Sequence, residues 1–384
     1  MSVDVRSLKQ SLRKLEFPQC SKEALHKINE LMCSRMATSV NKNIDIKNMD
    51  IALNLMAEFI FLEVDRRGEK RPQPLNPLVE LQLVKTLYDY FDSVPSESAR
   101  NTVFLSLFSG TTANSRIQVL SKLVSLAIGI PSTKILVSAR AWMQQIGNSS
   151  QNSCKLADAI VQDYFYFYKT NLDKITLLPK ICPQFTANVI TAITENYYNA
   201  RMKEIVFPPD NLIETITKWL SENPSLCNAA QQKQALLPAG AISMEAQTPI
   251  AGLVRWCVLA PIYKKDNEYY NKLHLALLTS IMEIPKSVPP KAVNVQDLII
   301  PINPILAYVN ELKHKQELKL AQILNEDSLQ LCLDRFAQIV QVAQSVKAIY
   351  GHIDDLYYKL KMLPFNKLMN IVINNYNKEK IIVL

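Results

Sequence analysis

Apolar residues recur along this chain at three- and four-residue intervals, and the spacing persists from one end to the other. That period is the mark of amphipathic helices that bury one face. One segment carries Ala24, Leu25, Ile28, Leu31 and Met32 on a single side, with Ser21 expected as its N-cap. Residues 51–64, after Asp50, are apolar on nearly every side and are expected to form a buried helix. Pro77 falls in the first turn of a helix bearing Leu78, Leu81, Leu83, Val84, Leu87 and Tyr88, a position that proline tolerates. Pro95-Ser96 opens another, with Val103, Phe104, Leu107 and Phe108. Further helices are expected at 116–128, 132–145, 154–168, 183–198, 211–221 with Asp210 as its N-cap, 249–259, 269–283, 305–324, 328–350, 354–361 and 366–374.

Most connections are short, which favours antiparallel neighbours. Three are longer. Residues 69–76 are charged and contain two prolines, 223–248 are polar and rich in Ala and Gln, and 286–304 are proline-rich around Leu298-Ile299-Ile300. The second of these is expected to be mobile unless something holds it. Helix pairs of roughly 35–45 residues recur without a sharp consensus, as in repeat arrays. The expected fold is therefore all-α, a divergent HEAT- or armadillo-like solenoid of antiparallel helix pairs, with an irregular helical bundle as the alternative. An N-terminal half at 1–222, a loop or linker at 223–248 and a C-terminal half at 249–384 follow from the composition.

Glycine use sharpens this picture. The chain has 7 glycines in 384 residues, where average usage of roughly 7 % gives about 27. Glycine supplies the left-handed backbone of tight hairpins and phosphate-cradling loops, so neither is expected in number. A 48 % hydrophobic content with 20 % charged residues and a mean hydropathy of zero excludes a disordered chain. No apolar run reaches the ~18 residues of a membrane span; the best, 120–130, is cut by Lys122 and ended by Pro131. The charged, amphipathic start of the chain has no apolar signal-peptide core. Seven scattered cysteines without a CxxC motif read as reduced structural thiols of a cytosolic or nuclear protein.

Candidate chemistry is sparse. There is no GxGxxG, GxxxxGK[ST] or GxSxG motif. His352 with Asp354 and Asp355 comes closest to a metal cluster, although paired aspartates at a helix start ordinarily complement its dipole. Ser109-Gly110-Thr111-Thr112 resembles an anion loop and reads better as the junction of two helices. Cys257, next to Arg255 and Trp256, is either an activated thiol or, in so apolar a helix, an inert one. Tyr164, Tyr166 and Tyr168, within Tyr-Phe-Tyr-Phe-Tyr, suit a core with a tyrosine-lined interface better than a base-stacking platform. No catalytic residue, metal or cofactor is expected. The net charge of +8 keeps a helical-repeat module that binds RNA or DNA as an alternative.

Several blocks go further. They are Leu75-Asn76-Pro77-Leu78-Val79-Glu80-Leu81-Gln82-Leu83 with Tyr90-Phe91, Ser106-Leu107-Phe108-Ser109, and Ser115-Arg116 with Leu120 and Lys122-Leu123-Val124-Ser125. Then come Thr248-Pro249, Gly252-Leu253-Val254-Arg255-Trp256-Cys257-Val258, Ala260-Pro261, Lys272-Leu273-His274-Leu275, and Leu333-Asp334-Arg335 with Gln341-Val342-Ala343. In this order, over about residues 50–345, they resemble the Integrator complex subunit 15 family. Two departures stand out. Longer members carry a Lys-rich insertion where 262–271 are short here, and a Pro- and His-rich tail unlike the basic, Ile-rich end of this chain.

The resemblance implies a non-catalytic nuclear subunit, with a cytoplasmic pool allowed. The Integrator assembly cleaves nascent RNA at small nuclear RNA genes and attenuates paused RNA polymerase II, and its endonuclease and phosphatase sit on other subunits. Subunit 15 is associated with the module of subunits 10, 13 and 14 and helps tether it to the core. The implied partners are those subunits; neither a small-molecule substrate nor a membrane is implied. Arg255, Lys272 and His274 are polar positions inside apolar blocks, and are expected either to contact partners or to satisfy carbonyls between helices. Trp256 belongs to core or interface.

Overall fold

In a computed structural model that describes residues 5–33, 46–71, 75–167, 172–199, 204–238, 240–244, 247–264, 268–284, 292–317 and 326–383, the chain adopts the all-α class its hydrophobic period demands. Strands among the described residues are two residues long. Tyr198–Asn199 (β1) pairs antiparallel with Glu204–Ile205 (β2), and Val293–Asn294 (β3) runs parallel to Ile349–Tyr350 (β4). Contacts divide the chain into two compact units, one of Met1–Asp163 with Ala235–Glu245, the other of Tyr164–Gln234 with Ala246–Leu384. The units part after Asp163, while 223–248 is shared. Ala229 and Ala230 pack on Ala187 of the second unit. In the first, Ala235 N–H donates to Gln144 Oε1 (2.8 Å), Met244 N–H to the Gln144 carbonyl (3.0 Å) and Asn101 Nδ2 to the Leu236 carbonyl (2.8 Å). A segment whose composition suggests mobility is thus held by one glutamine and one asparagine from buried helix faces.

The first unit contains α1 (Val5–Arg13), α2 (Gln19–Cys33), α3 (Ile46–Leu55), α4 (Pro77–Ser93), α5 (Glu97–Leu107), α6 (Ala113–Gly129), α7 (Thr133–Ile146) and α8 (Gln151–Val161). Asn76, Ser96, Ser132 and Ser150 each accept a hydrogen bond from a backbone N–H in the first turn of α4, α5, α7 and α8; the starts near Pro77, Ser96 and Ser132 were legible, whereas α8 begins at Gln151, three residues before the expected 154. Ser21 is not a cap. It lies inside α2, fully buried, and donates to the Phe59 carbonyl at 2.6 Å. Asp50 likewise sits within α3, which passes into a π turn at Met56–Ile60 and stops there. The chain then reverses in a small hairpin, where Val64 bridges Lys70 and Gly68 takes φ +86°. Helices pack on the second-next neighbour as well as the next: α4 on α6, α5 on α7, α6 on α8. Phe91, Phe104 and Phe108 form an edge-packed chain of rings at 5.1 Å spacing, and the Trp142 indole donates to the Phe108 carbonyl.

The second unit holds α9 (Leu172–Thr176), α10 (Leu178–Ile181), α11 (Pro183–Asn196), α12 (Asp210–Glu222), α13 (Ala229–Gln232), α14 (Ile250–Tyr263), α15 (Glu268–Met282), α16 (Val295–Ile299), α17 (Ile302–Glu317), α18 (Glu326–Ser345), α19 (Ile353–Leu360) and α20 (Lys367–Val383). Asp210 is the first residue of α12 rather than its N-cap, and it supports the helix through charge at the dipole's positive end. α14 is buried all round and packs on α11, α15 and α18. It runs through Pro261, beyond the stop expected at 259. Proline lacks the N–H that would bond the carbonyl four residues back, here that of Cys257. Arg335 of α18 supplies the missing donor at 2.8 Å.

Candidate functional site

The polar positions inside apolar blocks come together in the second unit. Arg255 on α14 is 4 % exposed and forms an ion pair with Glu195 of α11. Its guanidinium lies 4.4 Å from the centre of the Tyr198 ring. Burial raises the Asp297 carboxyl above its usual range, and the Arg255 charge partly offsets that rise. One helix over, His274 of α15 is buried, and its Nε2 donates to Gln338 Oε1 of α18 at 2.8 Å. Burial holds its imidazole below the usual histidine range; the Gln338 bond opposes the shift, and the Arg335 charge adds to it. Arg335 bonds Asn271 as well as the Cys257 carbonyl. Two guanidiniums and an imidazole thus tie α11, α14, α15 and α18 together.

This arrangement locks helices; it does not activate a nucleophile. The Cys257 thiol is pushed up to about 12 by burial, against which the Arg335 charge is a smaller opposing effect. Burial raises Cys332 too, and Cys227 is pushed up to about 12. Neutral thiols are poor nucleophiles, so the activated reading of Cys257 does not hold. Trp256 is fully buried, with its ring edge-on to Tyr197 at 6.0 Å. Among the sequence-selected residues, Arg255, Trp256, His274 and Tyr164 are interior. Lys272 is exposed and pairs with Glu268 at 2.8 Å along one helix turn, and that hydrogen bond raises its ammonium pKa. Tyr166 is about half exposed, with the more exposed Phe167 beside it, in a π turn at Gln162–Phe167. Tyr168 lies outside the described residues.

The other motifs resolve as local structure. Ser109 accepts, through its carbonyl, the N–H groups of Thr112 and Ala113, so the suspected anion loop uses its own amides in a turn between α5 and α6. Asp354 accepts from the Tyr376 hydroxyl at 2.9 Å, and both Asp354 and Asp355 lie in the first turn of α19. Among the described residues no group of three His, Cys, Asp or Glu side chains is placed to hold a metal ion, and no helix is long and apolar enough to cross a membrane.

One charged feature was missed at the sequence level, because its residues read as a linker. In the first-unit hairpin Asp65 Oδ1 accepts from the N–H groups of Arg67 (2.8 Å) and Glu69 (2.9 Å). That turn displays Arg66, Arg67 and Lys70 to solvent, and none of the three forms an ion pair among the described residues. A groove of about 280 Å³ beside it is lined by Lys70, Arg71, Glu80, Ser115 and Arg116. Arg116 is already engaged, by both Glu63 oxygens (2.8 and 2.7 Å) and the Phe61 ring at 4.0 Å.

Comparison with known proteins now adds what geometry does not. The family model described as Integrator complex subunit 15 matches residues 6–365. The chain belongs to the Integrator complex subunit 15 family. The Drosophila melanogaster protein of that name is 36 % identical over 98 % of this chain and 100 % of its own length. The zebrafish (Danio rerio) relative is 28 % identical over 92 % of this chain and 78 % of its own. For the human protein, 28 % identity extends over 96 % and 86 %. The family match runs through both units, so the buried network and the hairpin alike lie within family territory.

Proposed function

We propose that this protein is a non-catalytic helical adaptor of the nuclear Integrator complex. In this reading it helps hold the module of subunits 10, 13 and 14 to the core during small nuclear RNA 3′-end processing and attenuation of RNA polymerase II. The observation that carries the reading is the family match over residues 6–365, with relatives that are named as a subunit of that complex. Two features support it. Arg255, His274 and Arg335 of the second unit are taken up between helices, and the packing of α4 on α6, α5 on α7 and α6 on α8 in the first unit suits a repeat-type scaffold that binds through extended faces. Of the residues selected from sequence as contacts, Lys272 and Tyr166 are exposed and Tyr168 lies outside the described residues, and the proposal keeps these three. Affinity purification of the full-length protein from nuclear extract tests the adaptor reading. Recovery of Integrator subunits, with 10, 13 and 14 enriched, is expected; a clean preparation without them overturns it.

The basic hairpin supports a second reading, direct binding of RNA or DNA through Arg66, Arg67 and Lys70. Phosphate contacts make affinity fall steeply with salt. If RNA is not bound even at about 50 mM salt, this second reading is refuted.

A further inference from the structure

The groove beside the hairpin of the first unit measures about 280 Å³. That falls just below the ~300–1,000 Å³ of pockets that enclose small molecules, and it suits side chains of a peptide. Its walls are of two kinds. Leu62 and Leu75, both half-buried, give it apolar surface, and Lys70 and Arg71 give it charge. Two carboxylates also line it, and both are already neutralised, Glu63 by Arg116 at 2.7 Å and Glu80 by Lys122. The Asp65 carboxylate is taken up by two amides of its own turn. Arg71 uses its Nε on the Val64 carbonyl (3.2 Å), which leaves its two terminal nitrogens for a carboxylate. Over 65–71 four cations, Arg66, Arg67, Lys70 and Arg71, stand against two carboxylates, Asp65 and Glu69, so the rim keeps an excess of positive charge. The backbone marks the apolar wall. Leu62 takes φ +51° directly after the residue that ends the π turn, a place that ordinarily goes to glycine. A leucine held there puts a side chain into the groove where glycine would put none.

We infer that this groove binds an acidic segment of a protein partner, with an apolar side chain seated on Leu62 and Leu75 and flanking carboxylates on Lys70 and Arg71. Charge complementarity sets the sign of the ligand. The apolar wall selects a peptide over a nucleic acid. A strand of RNA or DNA needs a positive track along successive phosphates and open aromatic faces for its bases. Here the cations are confined to one turn, and carboxylates stand among them. The Phe61 ring in the wall is buried, and the Arg116 guanidinium covers it at 4.0 Å. The inference rests on the adaptor reading above, with the partner one of the subunits this protein would hold, and it opposes RNA as the occupant of the hairpin.

The test uses the full-length protein. A photo-crosslinking residue in place of Gln118, which is exposed and lines the groove, is expected in nuclear extract to mark an Integrator subunit at a segment that carries Asp or Glu around an apolar side chain. That segment, made as a peptide, should bind purified wild type, and should fail to bind once its carboxylates are changed to amides. Three variants are compared against the acidic peptide. Lys70→Glu/Arg71→Glu should weaken it about thirtyfold or more, because like charges then face each other. Ser115→Trp, which fills the groove from an exposed position of α6, should weaken it as well. So should Leu62→Gly, which removes the apolar wall and suits the left-handed backbone. Circular dichroism and thermal unfolding confirm that each folds. A crosslink to RNA that ribonuclease removes, a crosslink to a second copy of this chain, a marked segment without acidic side chains, or equal peptide binding by wild type and variants overturns the groove. So does the absence of any adduct while Integrator subunits still co-purify, and in each of these cases the adaptor reading stands. No Integrator subunits on wild type overturns both. If the charge-reversed protein fails to fold, Lys70→Gln/Arg71→Gln and Leu62→Gly decide.

Discussion

Replacement of Gly252 by alanine should destabilise the second unit, although alanine is the better helix former. α14 crosses α11 at this glycine. A Cβ there would lie 2.0 Å from Thr194 Oγ1, 2.2 Å from Thr194 Cβ and 3.0 Å from its Cγ2. Rotation about χ1 removes the first contact but not the second, because Cβ is fixed to the backbone. Carbon atoms pack at about 3.5 Å or more, so the helices would have to separate by roughly 1.3 Å. Overpacking of this kind costs about 3 kcal/mol, and the helix-propensity gain is about 1 kcal/mol, which leaves a net loss of about 2 kcal/mol. The separation also opens the Arg255–Glu195 pair, since Glu195 follows Thr194 and Arg255 sits one turn beyond Gly252. Urea unfolding, with hydrogen exchange read at α11 and α14, measures the effect. Thr194→Ala should not rescue the variant, because its Cβ remains, whereas Thr194→Gly should. A Gly252→Ala protein as stable as wild type, or fully rescued by Thr194→Ala, would refute the close-crossing argument.

Three further outcomes are expected. Arg255→Met leaves Glu195 without its cation and should cost about 2 kcal/mol in urea unfolding, below the 3–5 kcal/mol of a fully buried pair because Glu195 keeps a third of its exposure. Arg335→Met orphans the buried Cys257 carbonyl and should destabilise by about 1–3 kcal/mol; in a Pro261→Ala background, where residue 261 regains an N–H for that carbonyl, a double-mutant cycle should show a smaller loss. Burial lowers the folded-state pKa of His274 below its unfolded value, about 6.5, so the folded protein resists protonation. Stability from this group is intact above about pH 6.5 and falls as pH drops below it; unfolding at pH 7.5 and 5.5 should show that slope reduced in His274→Gln.

The local signals in this chain were strong. Asn76, Ser96 and Ser132 announce helix starts because a cap acts on backbone amides within three residues, a range that sequence spacing covers. The scarcity of glycine foretold an all-helical chain, and the blocks from Leu75 to Ala343 already pointed to the family that comparison establishes. What sequence left open was every choice that depends on a distant partner. Ser21 has the chemistry of a cap, but α2 begins earlier, since its burial against Phe59 outweighs a single capping bond, and α3 likewise begins at Ile46, ahead of Asp50. Arg255 and His274 were equally compatible with an interface and an interior. Glu195, 60 residues before the first, and Gln338, 64 after the second, decide for the interior, because a buried charge or imidazole is tolerated only where such a partner is waiting. The same holds for Pro261, whose place inside α14 depends on an arginine 74 positions later in the chain, and for Phe365, whose ring is 77 % exposed among the described residues while Gln330 of α18 holds its carbonyl. Period and caps are properties of neighbours along the chain; which polar group meets which, and which apolar face stays uncovered, exists only once the helices have packed.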